Sequence, residues 1–171
     1  MTGLVAVSAI GIAIVVIQIN APAVTATMAF ATVNERPLPL AELRTALAEA
    51  GAMRTGEPFD RIVRKVANDL IDAELINQRF AGEYSDATDK RDVVRRVLAA
   101  RVHQGIEVSD EEIAAYFDRN LKGKTNLGPD QYRLIVRKQI VLEKERARYN
   151  ALVAELRAGA RIELFEDRLP R

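Results

Sequence analysis

His103 is the only histidine in the chain, and there is no cysteine. An imidazole can act as a general base or hold a metal, but both roles need a second His, a Cys or a placed carboxylate. No spacing in the sequence supplies one, so His103 reads as a residue near the end of a helix. The acidic run Ser109-Asp110-Glu111-Glu112 invites a cation-site reading. Calcium loops alternate their acids and include a glycine, which this run does not. Its spacing instead matches a capping box, in which Ser109 and Glu112 satisfy each other's backbone N–H groups. Asp110 and Glu111 then sit where the helix dipole favours negative charge.

Lys90, Arg91, Arg95, Arg96 and Arg101 fall within twelve residues. Such a stretch could meet acidic lipid or polypeptide, but Asp89 and Asp92 dilute it, and a solvated helix face is the simpler account. The net charge is +1, so no strong attraction to nucleic acid is indicated. "GAMRTGE", residues 51–57, lacks the preceding strand and the Lys-Ser/Thr pair of a phosphate loop. Without cysteine there are no disulfides, thiolate metal sites, Cys nucleophile or lipidated Cys. No acid–base pair has a spacing that predicts catalysis. No enzyme activity, metal or cofactor is expected, and binding is what remains.

The elements that position these residues are mostly helical. The chain has 171 residues, few aromatics and many Ala, Leu, Arg and Glu, which favours helices. Residues 27–33, "TMAFATV", read as a short strand, and Asn34 to Pro39 as a turn set by Pro37 and Pro39. Leu40 to Ala50 is a first helix, with Leu40, Leu43 and Leu47 on one face. After a loop from Gly51 to Glu57, a second helix runs from Pro58 to Phe80, with Phe59, Ile62, Val66, Leu70, Ala73, Ile76 and Phe80 at helical spacing. Val63, Ile71 and Leu75 widen that stripe. A third helix covers Thr88 to Gln104, and a fourth runs from the Ser109 cap to Leu121. The last starts at Pro129 and ends at Gly159, about 45 Å at 1.5 Å per residue, too long for the body of a small domain. Ile135, Leu142, Tyr149 and Leu156 recur every seven residues as a narrow seam, and the charges "RKQ" and "EKERAR" around it read as a solvated face with intrahelical pairs. "RIELF", residues 161–165, is a closing strand. Two lone strands in a helical domain most simply pair with each other, because unpaired backbone groups are costly.

The first charged side chain is Glu35, and Gly3 to Ile19 is almost wholly apolar. Residues 1–26 are therefore expected to be an apolar helix, as a signal peptide or a membrane anchor. Small residues at 21–23 and 24–26 suit a cleavage site. No Lys or Arg precedes the run, and it is long enough to span a bilayer. Either way the remaining domain, residues 27–171, is expected outside the cytoplasm, periplasmic or held at the inner membrane.

Four stretches in order, "FATVNERPLPLAEL" (30–43), "LIDAELINQRF" (70–80), "VSDEEIAAYFDRN" (108–120) and "LEKERARYNALVAELRAGARIEL" (142–164), resemble the SurA-like periplasmic chaperones, a family that often carries a parvulin-type peptidyl-prolyl isomerase domain. The resemblance covers residues 29 to 166. It implies a helical chaperone module of about five helices with its first and last strands paired. There are departures. Glu35 stands where the family has Gly in the opening turn, and a positive φ there would be strained. Pro39 stands where the family has a Ser or Thr cap. Eight residues separate Asn120 from Pro129, too few for an inserted domain, and parvulin sites draw on paired histidines. The resemblance therefore implies the chaperone module alone.

The expected function is capture of unfolded or extended polypeptide in an apolar groove rimmed by charge. Phe59, Ile62 and Phe80 on the second helix, with Ile135, Leu142 and Tyr149 on the last, are the candidate lining residues. A homodimer through the long last helix is a further expectation. Two alternatives stand beside the chaperone: a membrane-tethered adaptor for one specific folded partner, and a peptidyl-prolyl isomerase by family association only.

Overall fold

A computed structural model describes residues 28–51, 58–123 and 129–170. The apolar stretch 1–26, the centre of the 51–57 loop and most of the 121–128 connection lie outside these. The described chain is mainly helical with a small three-stranded antiparallel sheet.

The sheet order is β2-β1-β3, with β1 Ala29–Val33 between β2 Arg36–Pro39 and β3 Ile162–Leu164. The expected pairing of the two end strands is present, as Ala31 faces Leu164 and Val33 faces Ile162. The expected turn over 34–39 is corrected. Only Asn34 and Glu35 turn, and residues 36–39 come straight back as a hairpin partner of β1. Both turn residues have positive φ, 49° and 69°, the backbone of a type I′ hairpin. Pro37 and Pro39 are tolerated because β2 is an edge strand, where a missing N–H need not break a ladder. Asn34 also locks the far strand: its N–H donates to the Arg161 carbonyl at 2.8 Å, and its Oδ1 accepts from the Arg161 N–H at 2.9 Å.

Among the described residues five α-helices follow: α1 Leu40–Glu49, α2 Phe59–Phe80, α3 Lys90–Leu98, α4 Asp110–Asn120 and α5 Pro129–Ala158. Pro39 precedes α1 without a side-chain cap, as its chemistry requires. Asp89 caps α3 by accepting from the Asp92 N–H at 2.9 Å. Ser109 and Glu112 form the complete capping box of α4, at 3.2 and 3.0 Å. The single helix expected over 88–104 is corrected: α3 ends at Leu98 and becomes a π-helical turn, Ala99–His103. Its signature is the Gln104 N–H donating to the Ala99 carbonyl at 3.0 Å, five residues back.

Burial falls into three clusters. The largest joins Phe30, Ala31 and Val33 of β1 to Leu43 and Leu47 of α1 and to Ile62, Val63, Ala67 and Ile71 of α2. A second packs Ile76 and Phe80 of α2 against Val93 and Val97 of α3, with Tyr149, Leu152 and Leu156 of α5 leaning on it. The third is small, Ile113 of α4 against Val136 and Ile140 of α5. The long helix therefore has two different supports, α4 along its first half and α2 with the π-turn along its second.

A buried carboxylate knits the main core. Glu74 of α2 is 2% exposed, yet it meets Arg36 of β2 at 3.2 Å, Lys90 of α3 at 3.5 Å and the Gln78 amide at 2.9 Å. Lys90 continues to Glu42 of α1 at 2.5 Å. A buried charge needs such company to offset its lost hydration.

Candidate functional site

The second half of α5 is pinned against the π-turn by long cations. Arg148 donates to the carbonyls of Gln104 at 2.7 Å, Gly105 at 3.3 Å and Val102 at 3.4 Å. These carbonyls end a helix, where a cation is favoured. Lys144 reaches the Glu107 carbonyl at 2.8 Å and Glu112 at 2.6 Å. Glu145 meets His103 at 2.8 Å. Lys144, Glu145 and Arg148 thus tie α5 to other elements, which corrects the reading of "EKERAR" as wholly a solvated face; Arg146 is exposed, and Glu143 pairs within the helix with Gln139. The basic stretch of α3 is solvated in part, with Arg91 and Arg95 exposed and Arg95 paired to Asp92 of the same helix, but its other contacts reach further. Lys90 pairs with Glu42 and Glu74, Arg91 with Glu49, Arg96 with Asp86, and Arg101 with Glu83. Arg101 also lies over the Phe80 ring, 4.4 Å from its centroid.

This pinning leaves a groove of about 530 Å³ between the π-turn and α5. Leu98 and Val102 form one wall, Leu142 and Tyr149 the other, and His103, Glu145 and Arg146 stand at the rim. A second hollow of about 440 Å³ lies beyond, among α1, α2 and α3, with Leu70, Ala73, Val94 and Leu98 in its lining. Leu98 and His103 border both, so the π-turn is the ridge between them. Helical turns of this kind are often found at functional sites.

The six residues expected to line a binding surface part company. Ile62 and Phe80 are buried in the core, and Phe59 packs partly buried against it. These three are held inside by the sheet and by α3. Tyr149 is half-buried and lines the groove, its hydroxyl 3.5 Å from Asp72. Leu142, 58% exposed, lines the groove, and Ile135, 52% exposed, lies two turns further up the same helix. Leu134, also exposed at 60%, was not anticipated. The seven-residue seam is corrected accordingly. The positions of α5 that are buried are Val136, Ile140 and Val153, because the helix has a different neighbour in each half. The face that carries Tyr149 and Leu156 onto the body continues toward the N-terminus as Leu142, Lys138 and Ile135, exposed among the described residues.

Electrostatics around the groove are set by burial. Burial, then the charge of Asp72, pushes the Tyr149 hydroxyl up to about 12. Burial also raises Asp72, against the pull of Arg157 at 2.6 Å. On α3, burial works upward on Asp92 too, but hydrogen bonds from Arg96, the Thr88 N–H and Arg95 outweigh it and hold that carboxyl below its ordinary range. Among the described residues there is no group of three His, Asp or Glu that could hold a metal ion, and no helix is long and apolar enough to cross a membrane.

No family model, curated protein or solved structure matches this chain.

Proposed function

We propose that this chain is an extracytoplasmic chaperone-like module of the SurA-like type, without an isomerase domain, which holds extended apolar segments of unfolded proteins against α5. The observation that carries the proposal is the placement of exposed apolar side chains. Leu134, Ile135 and Leu142 lie on one stretch of α5, and Leu142 belongs to the groove wall. Large apolar side chains gathered on one exposed stretch mark a surface for contact. A wall of Leu and Tyr opposite Leu98 and Val102 offers apolar contact without fixed hydrogen-bond demands, which suits clients of varied sequence. The uncharged N-terminal run supports a place outside the cytoplasm, by cleavage or by anchoring at the inner membrane. The order of motifs along the chain supports the family.

The test is suppression of aggregation for several unrelated, chemically denatured proteins, using the full chain in a mild detergent. Protection of most clients, lost in Leu142→Asp, is expected. Protection of a single client points to a dedicated adaptor, and protection of none sinks the proposal. A proline-limited refolding reaction is expected to run at its uncatalysed rate.

A further inference from the structure

We infer that the preferred client segment is extended and carries acidic side chains on both sides of an apolar one. The inference rests on the groove proposed above and names its chemistry. Lys138 and Arg146 stand four residues before and four residues after Leu142. Side chains at that spacing share a helix face. Both cations are exposed, and neither makes an ion pair or hydrogen bond among the described residues. They differ in this from their neighbours, since Lys144 holds Glu112 and Arg148 holds the carbonyls of residues 102–105.

Two acids line the same groove. Glu145 is engaged by His103 across it. Glu143 accepts from Gln139 at 3.3 Å and also borders the hollow on the α4 side, where Arg119 and Lys144 stand. Glu143 lies about 100° round the helix from Leu142, off the line of Lys138, Leu142 and Arg146. The exposed stripe is therefore apolar at Ile135 and Leu142 and positive at Lys138 and Arg146. Its complement is apolar and negative.

Spacing fixes the shape of that complement. Eight residues of helix separate the two cations, about 12 Å along the axis. An extended chain covers about 13 Å in four residues, and its positions i, i+2 and i+4 face the same way. A segment with Asp or Glu at i and i+4 and a large apolar residue at i+2 therefore meets Lys138, Leu142 and Arg146 together. Leu142 and Arg146 line the groove between the π-turn and α5, which a flat anionic bilayer cannot enter, and this favours a polypeptide. A second copy of the chain is a poorer fit. Tyr149 and Leu156 are already engaged with the body, so only the upper part of the helix is free for a twofold contact.

The test uses the full chain in mild detergent and three labelled fifteen-residue peptides. They differ only in a central Glu-Thr-Leu-Thr-Glu, Gln-Thr-Leu-Thr-Gln or Lys-Thr-Leu-Thr-Lys. Each exposed pair is worth a factor of roughly 1.5 to 5. At low ionic strength the acidic peptide is expected to bind about tenfold tighter than the basic one, with the margin collapsing in high salt. K138E/R146E should reverse the order, and L142D should weaken all three. Equal affinities overturn this inference and leave the chaperone proposal standing. Failure of every peptide to bind overturns both. Preference for vesicles of anionic phospholipid over the acidic peptide, or concentration-dependent dimerisation lost in L142D, also overturns it.

Discussion

Substituting Glu35 with glycine should make this protein more stable, and the same change at Asn34 should make it less so. The two residues form one turn and both have positive φ, 49° for Asn34 and 69° for Glu35. An L-residue in that region costs about 1–2 kcal/mol. Glutamate has no short polar side chain to offset this locally. Glycine removes the strain but adds about 0.5–1 kcal/mol of unfolded-state entropy. The net gain for Glu35→Gly is about 0.5–1 kcal/mol, a rise in Tm of roughly 1–4 °C at this chain length. Asn34 tolerates positive φ better and gives more through its side chain. Its Nδ2 donates to Gln78 at 2.8 Å, and its Oδ1 accepts from Arg161 of the closing segment at 2.9 Å. At about 0.5–1.5 kcal/mol net for each hydrogen bond, their loss outweighs the relief of a smaller strain, and Asn34→Gly should cost about 1 kcal/mol. Thermal and urea unfolding followed by far-ultraviolet circular dichroism measures both variants beside the parent chain. If Glu35→Gly lowers stability, or if both variants shift it the same way, the account of the turn is wrong.

Three further outcomes follow from the packing. Ending the chain after Gly159 removes β3 and with it the covering of β1, so the whole domain should lose cooperative stability; an unchanged melting curve would show that the closing strand is dispensable. Glu74→Ala removes the shared partner of Arg36, which is exposed, and of Lys90, which keeps Glu42, and should cost about 1–3 kcal/mol in chemical denaturation, while Glu74→Gln, which keeps an acceptor for Gln78, should cost less. Tyr149 ionises near 10 when unfolded and at about 12 when folded; its folded value is raised, so its contribution is fully present below pH 10 and is lost as pH rises to 12. Tyrosinate absorbance should show a late-titrating phenol that is missing in Tyr149→Phe.

Local chemistry was the most legible part of the sequence. Ser109 and Glu112 announce a capping box because both halves of the motif lie within one turn, and the box is there. The closing strand was legible because a lone strand needs a partner. The middle strand was hidden by Pro37 and Pro39, which look like turn residues until it is known that they fall on an edge. Strain at Glu35 under a positive φ is legible from the residue type, but the hairpin that imposes this φ is not, because the prolines mask its second strand. The site was less legible for a different reason. Spacing on a helix reveals a face and not what covers it. Ile62 and Phe80 share the pattern of Leu142, yet the first two are buried and the last is bare. The regular seam of α5 presumed one neighbour along its length, whereas α4 supports one half and the body the other. Nothing local foretold the π-turn, since Ala-Ala-Arg-Val-His suits an ordinary helix equally well.

That π-turn has a consequence for how the chain tolerates change in length. A π-turn holds one more residue than the α-helical turn it replaces. Deleting Ala100 would let the α3 helix continue in regular form, and the backbone itself would be the more relaxed for it. Later positions would keep nearly their present phase, because the π-turn already absorbs the extra residue. A deletion in the regular part of α3, at Arg95 for example, would instead turn every later position by about 100° about the axis. Val102 would then leave the groove wall, His103 would lose Glu145, and the carbonyls that receive Arg148 would no longer face it. The π-turn is thus the place in this helix where the loss of one residue spares the binding wall.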